Sequence, residues 1–173
     1  MNQTTIQKKI CLLGDFAVGK TSLVRQFVEG KFEDKYLSTI GVKISRKPLP
    51  RSYGTLNLLV WDLAGNNGHN LLSESSYVKG AAGALVVCDL TRPETLGAFE
   101  RYARQLQAIN PDTSLVFVAN KVDLVDERVI SDADLLSVCG SLNWGAFFLT
   151  SAKTGEQVEA AFVALADRID AKK

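Results

Sequence analysis

The eight residues Gly14-Asp15-Phe16-Ala17-Val18-Gly19-Lys20-Thr21 constrain this chain more than any other feature. They fit the pattern G-x-x-x-x-G-K-[ST] and stand between an apolar run, Lys9 to Leu13, and a segment, Thr21 to Glu29, that places Leu23, Val24, Phe27 and Val28 at helical spacing. Such a turn joins a buried strand to a helix. Gly14 and Gly19 let the backbone bend until successive N–H groups point inward, and the helix opening after Lys20 adds its positive dipole end. An anion fits there. Lys20 reaches outer phosphates as a point charge, and the Thr21 hydroxyl is placed for the Mg²⁺ that phosphates bring.

The rest of the chain repeats the strand-then-helix rhythm. Val42 to Leu49 and Thr55 to Trp61 flank Arg51-Ser52-Tyr53-Gly54, which predicts a hairpin at an antiparallel sheet edge, where Pro48 and Pro50 are tolerated. Ala84 to Cys88, Leu115 to Ala119 and Ala146 to Leu149 are short and apolar throughout, as strands covered on both faces are. Helices are predicted over Pro93 to Ala108, Asp132 to Cys139 and Glu156 to Ile169. The expected class is α/β, with helices on both faces of a six-stranded, mostly parallel sheet that has one antiparallel edge strand, and about five helices.

No linker or repeat divides the 173 residues, so one domain, 1–173, is expected. Hydrophobic residues at 46% and charged ones at 23% exclude disordered and low-complexity classes. Twenty basic against nineteen acidic side chains give +1, so no field draws in nucleic acid and any bound anion must be held locally. Cys11, Cys88 and Cys139 are odd in number and scattered, which fits a reducing, cytoplasmic setting. The longest apolar run, Ala81 to Cys88, is far short of the roughly 18 residues of a membrane span. Asn2 stands where myristoylation needs glycine and the final residues hold no prenylatable cysteine, so no membrane anchor is expected in this chain.

Open sheets of this kind bind ligands beyond the carboxyl ends of their strands. Asn120-Lys121-Val122-Asp123 follows Leu115 to Ala119, and Ser151-Ala152-Lys153 follows the last apolar run. With these three motifs in order, the chain resembles the small Ras-type GTPases, and within them the Rab-like branch, over Lys8 to Ile169. The resemblance implies a three-layer P-loop GTPase domain that binds GTP or GDP with Mg²⁺. Gly14, Asp15, Ala17, Val18, Gly19, Lys20, Thr21 and Ser22 would surround the phosphates. Asp123 would accept from guanine's ring N–H and amine, a two-donor edge that adenine lacks. A site with buried polar groups built for one base rejects the other by about 10⁴ to 10⁵. Asn120 would brace the phosphate loop, the Lys121 stem and Phe32 would cover the two ring faces, and the Ala152 N–H, flanked by Ser151 and Lys153, would meet the guanine carbonyl.

The same resemblance assigns a state sensor. Thr39, nineteen residues after Lys20, would ligate Mg²⁺ only when a third phosphate is present. Asp62 would hold the metal through water, completing the set Thr21, Thr39 and Asp62, and the Gly65 N–H would meet the γ-phosphate. Lys20, Thr39, Gly65 and Asn66 would form the catalytic group, with water as nucleophile. Implied partners are effector proteins that read the switch, an exchange factor and an activating protein of atypical kind, acting on a monomer.

Two departures stand out. Relatives continue with a water-orienting Gln, but here Asp62-Leu63-Ala64-Gly65 is followed by Asn66-Asn67-Gly68-His69. Loss of one placed polar contact costs on the order of 10² to 10³ in rate, so slow hydrolysis is expected. His69 is an alternative water partner or an uninvolved loop residue. Phe16 puts a ring where relatives carry a small residue, either in the way of an arginine finger or folded over the loop onto a switch segment without touching the chemistry. The readings left open are therefore a slow GTP-hydrolysing switch and a GTP/GDP-binding scaffold with negligible turnover; Asp123 disfavours an ATPase or nucleoside kinase. Trp61 and Tyr77 resemble aromatics of the Rab effector face, but the third position is Ile44 after Lys43, so partner identity does not carry over. Lys43, Arg46, Lys47 and Arg51 read either as a basic patch or, in preference, as charges that blunt an exposed edge.

Overall fold

In the computed structural model, residues 3–35, 37–65, 75–142 and 147–172 are described. Their centre is a six-stranded sheet in the order β2-β3-β1-β4-β5-β6. β4 (Gly83–Asp89) and β5 (Ser114–Asn120) are buried along their whole length, which is why both read as continuous apolar runs. Their side chains alternate between two cores. Ala84, Val86 and Cys88 face one side of the sheet, while Leu85 and Val87 face the other.

β1 (Thr4–Leu13) starts five residues before the predicted Lys9. Its polar first half, exposed except around Ile6, carries no apolar run, yet it pairs in parallel with β3 (Gly54–Leu63) from Thr4↔Gly54 to Leu12↔Asp62. Backbone pairing extends the strand past its hydrophobic pattern. β2 (Val42–Arg51) runs antiparallel to β3 and is the edge strand that Pro48 and Pro50 predict. Arg51 is not the solvated edge charge expected of it. Its guanidinium bridges Asp167 at 2.7 Å and Asp170 at 3.2 Å, tying the hairpin end to the last helix.

α1 (Lys20–Glu29) and α5 (Val158–Asp170) cover one face, where Phe27 and Phe162 stack at 4.0 Å between ring centroids. α3 (Glu94–Ile109) and α4 (Asp132–Ser141) cover the other, burying Phe99, Tyr102, Leu106, Leu135 and Cys139 with the short α2 (Ser75–Val78) beside them. α3 begins one residue after Pro93, which sits at the N-cap, and α5 begins at Val158 because Gln157 adopts a left-handed φ of 56°. α2 has four residues, too few for any periodicity to mark it in the sequence. β6 (Phe147–Thr150) completes the sheet. All three cysteines are buried and free.

The strand order turns around at β1, whose neighbours β3 and β4 lead to opposite edges. That reversal opens a crevice at the carboxyl ends of the strands. No helix among the described residues is long and apolar enough to cross a membrane.

Candidate functional site

The loop after β1 has its carbonyls fixed one after another. Lys20 Nζ donates to Gly14 O at 2.9 Å and to Asp15 O at 3.0 Å. Arg92 Nη1 donates to Phe16 O at 2.7 Å, Lys121 Nζ to Ala17 O at 3.0 Å, and Asn120 Nδ2 to Val18 O at 3.0 Å. With five successive carbonyls held by side-chain donors, the loop backbone is fixed in a curve of the kind that binds an anion. Ala17 takes φ 62° and Gly19 φ 101°, the left-handed turns that such a nest needs. A Cβ at Gly19 would collide with Asn120 Nδ2, so only glycine lets the end of β5 approach this closely.

On the other side of the loop stands a hydroxyl–carboxylate cluster. The Thr21 hydroxyl donates to Asp62 Oδ2 at 2.6 Å and lies 2.6 Å from the Thr39 hydroxyl, so the one proton of Thr21 is used on Asp62 and Thr39 is left to donate to Thr21. Asp62 is buried, and its second oxygen, Oδ1, has no hydrogen-bond partner in the described structure. An orphaned carboxylate oxygen beside two hydroxyls is an all-oxygen set suited to a hard divalent cation, so these residues fit Mg²⁺. Burial pushes the Asp62 carboxyl above its ordinary range, against the Thr21 hydrogen bond and the Lys20 charge, which pull it down. Burial likewise lowers Lys20 to about 8; Asp62 and Asp15 oppose that shift and Arg92 adds to it. An anion at Lys20 and a cation at Asp62 would each relieve a buried charge.

Gly65 closes this side. A Cβ there would come within 2.6 Å of Phe16 Cα and 2.8 Å of Lys20 Nζ, so the backbone of the segment after β3 reaches the loop only because residue 65 has no side chain. The Phe16 side chain itself is 39% exposed.

The third part comes from β5 and β6. Asn120 is buried and held at both ends of its amide: Nδ2 donates to Val18 O, and Oδ1 accepts from the Thr150 hydroxyl at 3.0 Å and from Ala152 N–H at 3.2 Å. The Ser151 hydroxyl donates to Asp123 Oδ1 at 2.7 Å, and Thr154 N–H donates to Ser151 Oγ at 3.0 Å. That bond aims the Asp123 carboxylate into the cavity. Lys121 Nζ also lies 2.7 Å from Asp89 Oδ2, a carboxylate with no exposure at the end of β4. Its stem is thus pinned at both loop and strand.

One cavity of about 640 Å³ is bordered by all three parts, including Ala17, Gly19, Lys20, Thr21, Ser22, Phe32, Thr39, Gly65, Asn120, Lys121, Asp123, Ala152 and Lys153. That volume is within the ordinary range of small-molecule sites. Gly14, Asp15, Val18, Asp62 and Ser151 stand behind the lining as supports, and the Asp15 side chain turns away from the cavity toward α3. Asn66 and His69 lie outside the described residues. Sequence reasoning missed Asp89, Arg92, Arg101, Tyr102 and Thr150. Asp89 had a readable signal, an acid directly after an apolar strand at the ligand edge; the arginines on α3 and before it had none.

A glycine-bent loop at the turn-around point of a mostly parallel, six-stranded sheet defines an α/β protein of the P-loop class. The chain belongs to the Ras family, whose profile matches residues 9–171. Within it the chain is Rab-like. It is 38% identical over 171 residues to "GTP-binding protein ypt5" of Schizosaccharomyces pombe, covering 97% of this chain and 80% of that protein. Against "Ras-related protein Rab-22A" of Homo sapiens it is 33% identical over 162 residues, 93% of this chain and 82% of the relative. "Ras-related protein Rab5" of Nicotiana tabacum is 35% identical over 166 residues, 95% and 82% of the two chains.

Proposed function

We propose that residues 1–173 form one monomeric guanine-nucleotide switch domain that hydrolyses GTP to GDP slowly. The observation that carries this reading is the shared cavity: Lys20 and the Thr21–Thr39–Asp62 cluster at one end, and Asp123, oriented by Ser151, at the other. Asp123 recognises the two-donor edge of guanine, and Ala152 N–H its carbonyl. Phe32 and the Lys121 stem cover the ring faces. The N–H groups of the loop and Lys20 hold the phosphates.

Mg²⁺, when bound, supplies charge neutralisation at the transferring phosphoryl group. Thr21, Thr39 and Asp62 are the residues that would hold it. In hydrolysis a water oxygen bonds to the γ-phosphorus while the bond to the bridging oxygen breaks, leaving GDP and inorganic phosphate. Lys20 and the Gly65 N–H stabilise the charge that builds on the phosphoryl oxygens. Asn66 stands where relatives carry the water-orienting Gln and sets a slow rate. Thr39 senses the third phosphate, so the segments around Thr39 and Gly65 present their partner surface only in the GTP state.

A second reading, a nucleotide-holding scaffold with negligible turnover, is favoured by the exposed Phe16 ring and by Asn66. Multiple-turnover phosphate release separates the two. Release at any rate above the uncatalysed background, together with GDP or GTP as the co-purified nucleotide, supports the switch; nucleotide retained for hours without phosphate release supports the scaffold. Acceleration by Asn66→Gln assigns the water-orienting position, and an unchanged single-turnover rate removes that assignment.

A further inference from the structure

The phosphate loop carries one acidic residue among positions 14 to 21, and acid is the wrong charge for an anion cradle. Asp15 is nearly buried, with 9% of its side chain exposed, so water screens it poorly. Its Oδ1 accepts from Arg101 Nη2 at 2.7 Å and from the Tyr102 hydroxyl at 3.3 Å. Both donors lie on α3. The Arg101 guanidinium rests 5.0 Å from the Tyr102 ring centroid, which orients it along the helix surface. One residue further along the loop, the Phe16 carbonyl is held by Arg92, itself steadied by Glu94 Oε1 at 3.1 Å.

Two arginines from one helix and its leading turn therefore grip adjacent residues of the loop from outside the cavity. We propose that Arg101, assisted by Arg92, is a positioning residue for nucleotide retention, cancelling the Asp15 charge and pinning the loop apex so that it can grip a nucleoside diphosphate. The inference rests on the guanine-nucleotide reading above. Arg101 touches no phosphate; it acts through Asp15. A neighbouring like charge biases a charged group by one to three decades, so an uncompensated Asp15 is expected to weaken GDP by about 10- to 100-fold.

The test is the affinity and dissociation rate of fluorescently labelled GDP, in the presence of Mg²⁺, for the full chain and four variants. Arg101→Ala is expected to raise the dissociation rate by about 10-fold or more, and Arg101→Lys, which keeps the charge without the fork, by less. Arg92→Ala, which removes one carbonyl contact, is expected to cost about 5-fold. The deciding variant is Arg101→Ala combined with Asp15→Asn. Charge cancellation predicts that the double variant recovers most of the lost affinity; a merely structural hydrogen bond would leave it as weak as Arg101→Ala. Wild-type dissociation rates in Arg101→Ala, or no recovery in the double variant, would overturn the proposal. Failure of the unaltered chain to hold GDP would overturn the nucleotide reading itself, and the clip with it.

Discussion

The two walls of the cavity are built in opposite ways. On the wall made from the loop after β1 and the ends of β5 and β6, functional side chains tie one element to another: Asn120 joins Val18, Thr150 and Ala152, and Lys121 joins Ala17 and Asp89. The opposite wall, the connection from α1 to β2, leaves Ile40 93% and Leu37 62% exposed. It meets the site through the hydroxyl of Thr39 on Thr21, with a backbone bond from Ala64 N–H to Gly41 O beside it. A wall already organised spends little binding energy on ordering itself, whereas a wall held at its edges, by the Arg25–Glu33 ion pair, the Thr39 hydroxyl and the bond to Gly41, can take more of its order from the ligand. The proposed function therefore assigns retention and sensing to different segments of chain.

That contrast can be broken most directly at Asp123. Asp123→Asn is expected to erase a guanine-over-adenine preference of about 10⁴, because the amide replaces one acceptor with a donor; competition of ADP against labelled GDP reads it. Retained preference would place base selection elsewhere. On the opposite wall, Thr39→Ala is expected to weaken a non-hydrolysable GTP analogue with Mg²⁺ by about 10-fold while leaving GDP within about twofold. An equal loss of both ligands would make Thr39 part of the rigid wall.

A smaller effect concerns pH. Lys20, lowered to about 8 by burial, is partly neutral above that value in the empty site, and a bound phosphate favours its charged form. Binding then takes up a proton, so GDP affinity is expected to fall as pH rises from 8 toward 10, by at most about tenfold per pH unit. Calorimetry in buffers of different ionisation heat measures the uptake. The smallest expected change is at the strands that carry the rigid wall. Burial pushes the Cys11 thiol up to about 12 and the Cys88 thiol higher still, so neither is expected to react with iodoacetamide at pH 8 in the folded protein. Rapid alkylation would show that β1 and β4 open far more readily than a preorganised wall allows.

The legible parts of this molecule are those with local patterns. Buried strands announced themselves because both faces are covered, and the loop because its glycines, Lys20 and Thr21 fall at fixed spacing between a strand and a helix. The polar half of β1 did not, since its order comes from pairing with β3, fifty residues away in sequence. The long-range pairings were silent even where the residues were not: Asp15 and Lys121 stand in motifs, but nothing local says that their partners are Arg101 and Asp89 until the sheet brings them together. Arg51 misled for the same reason, reading as an edge charge when its partners wait on α5.

The carbonyl restraints on the loop also bear on how the molecule is made. Phe16, Ala17 and Val18 are emerging near the start of synthesis, but their donors Arg92, Lys121 and Asn120 arrive 76, 104 and 102 residues later. A nascent chain halted after β4 would possess the glycines and the lysine without the scaffold that sets their shape. On the proposed reading, competence for nucleotide would therefore wait for β5 and then β6 to dock, since Asn120 and Lys121 follow the first and Ser151, which orients Asp123, follows the second.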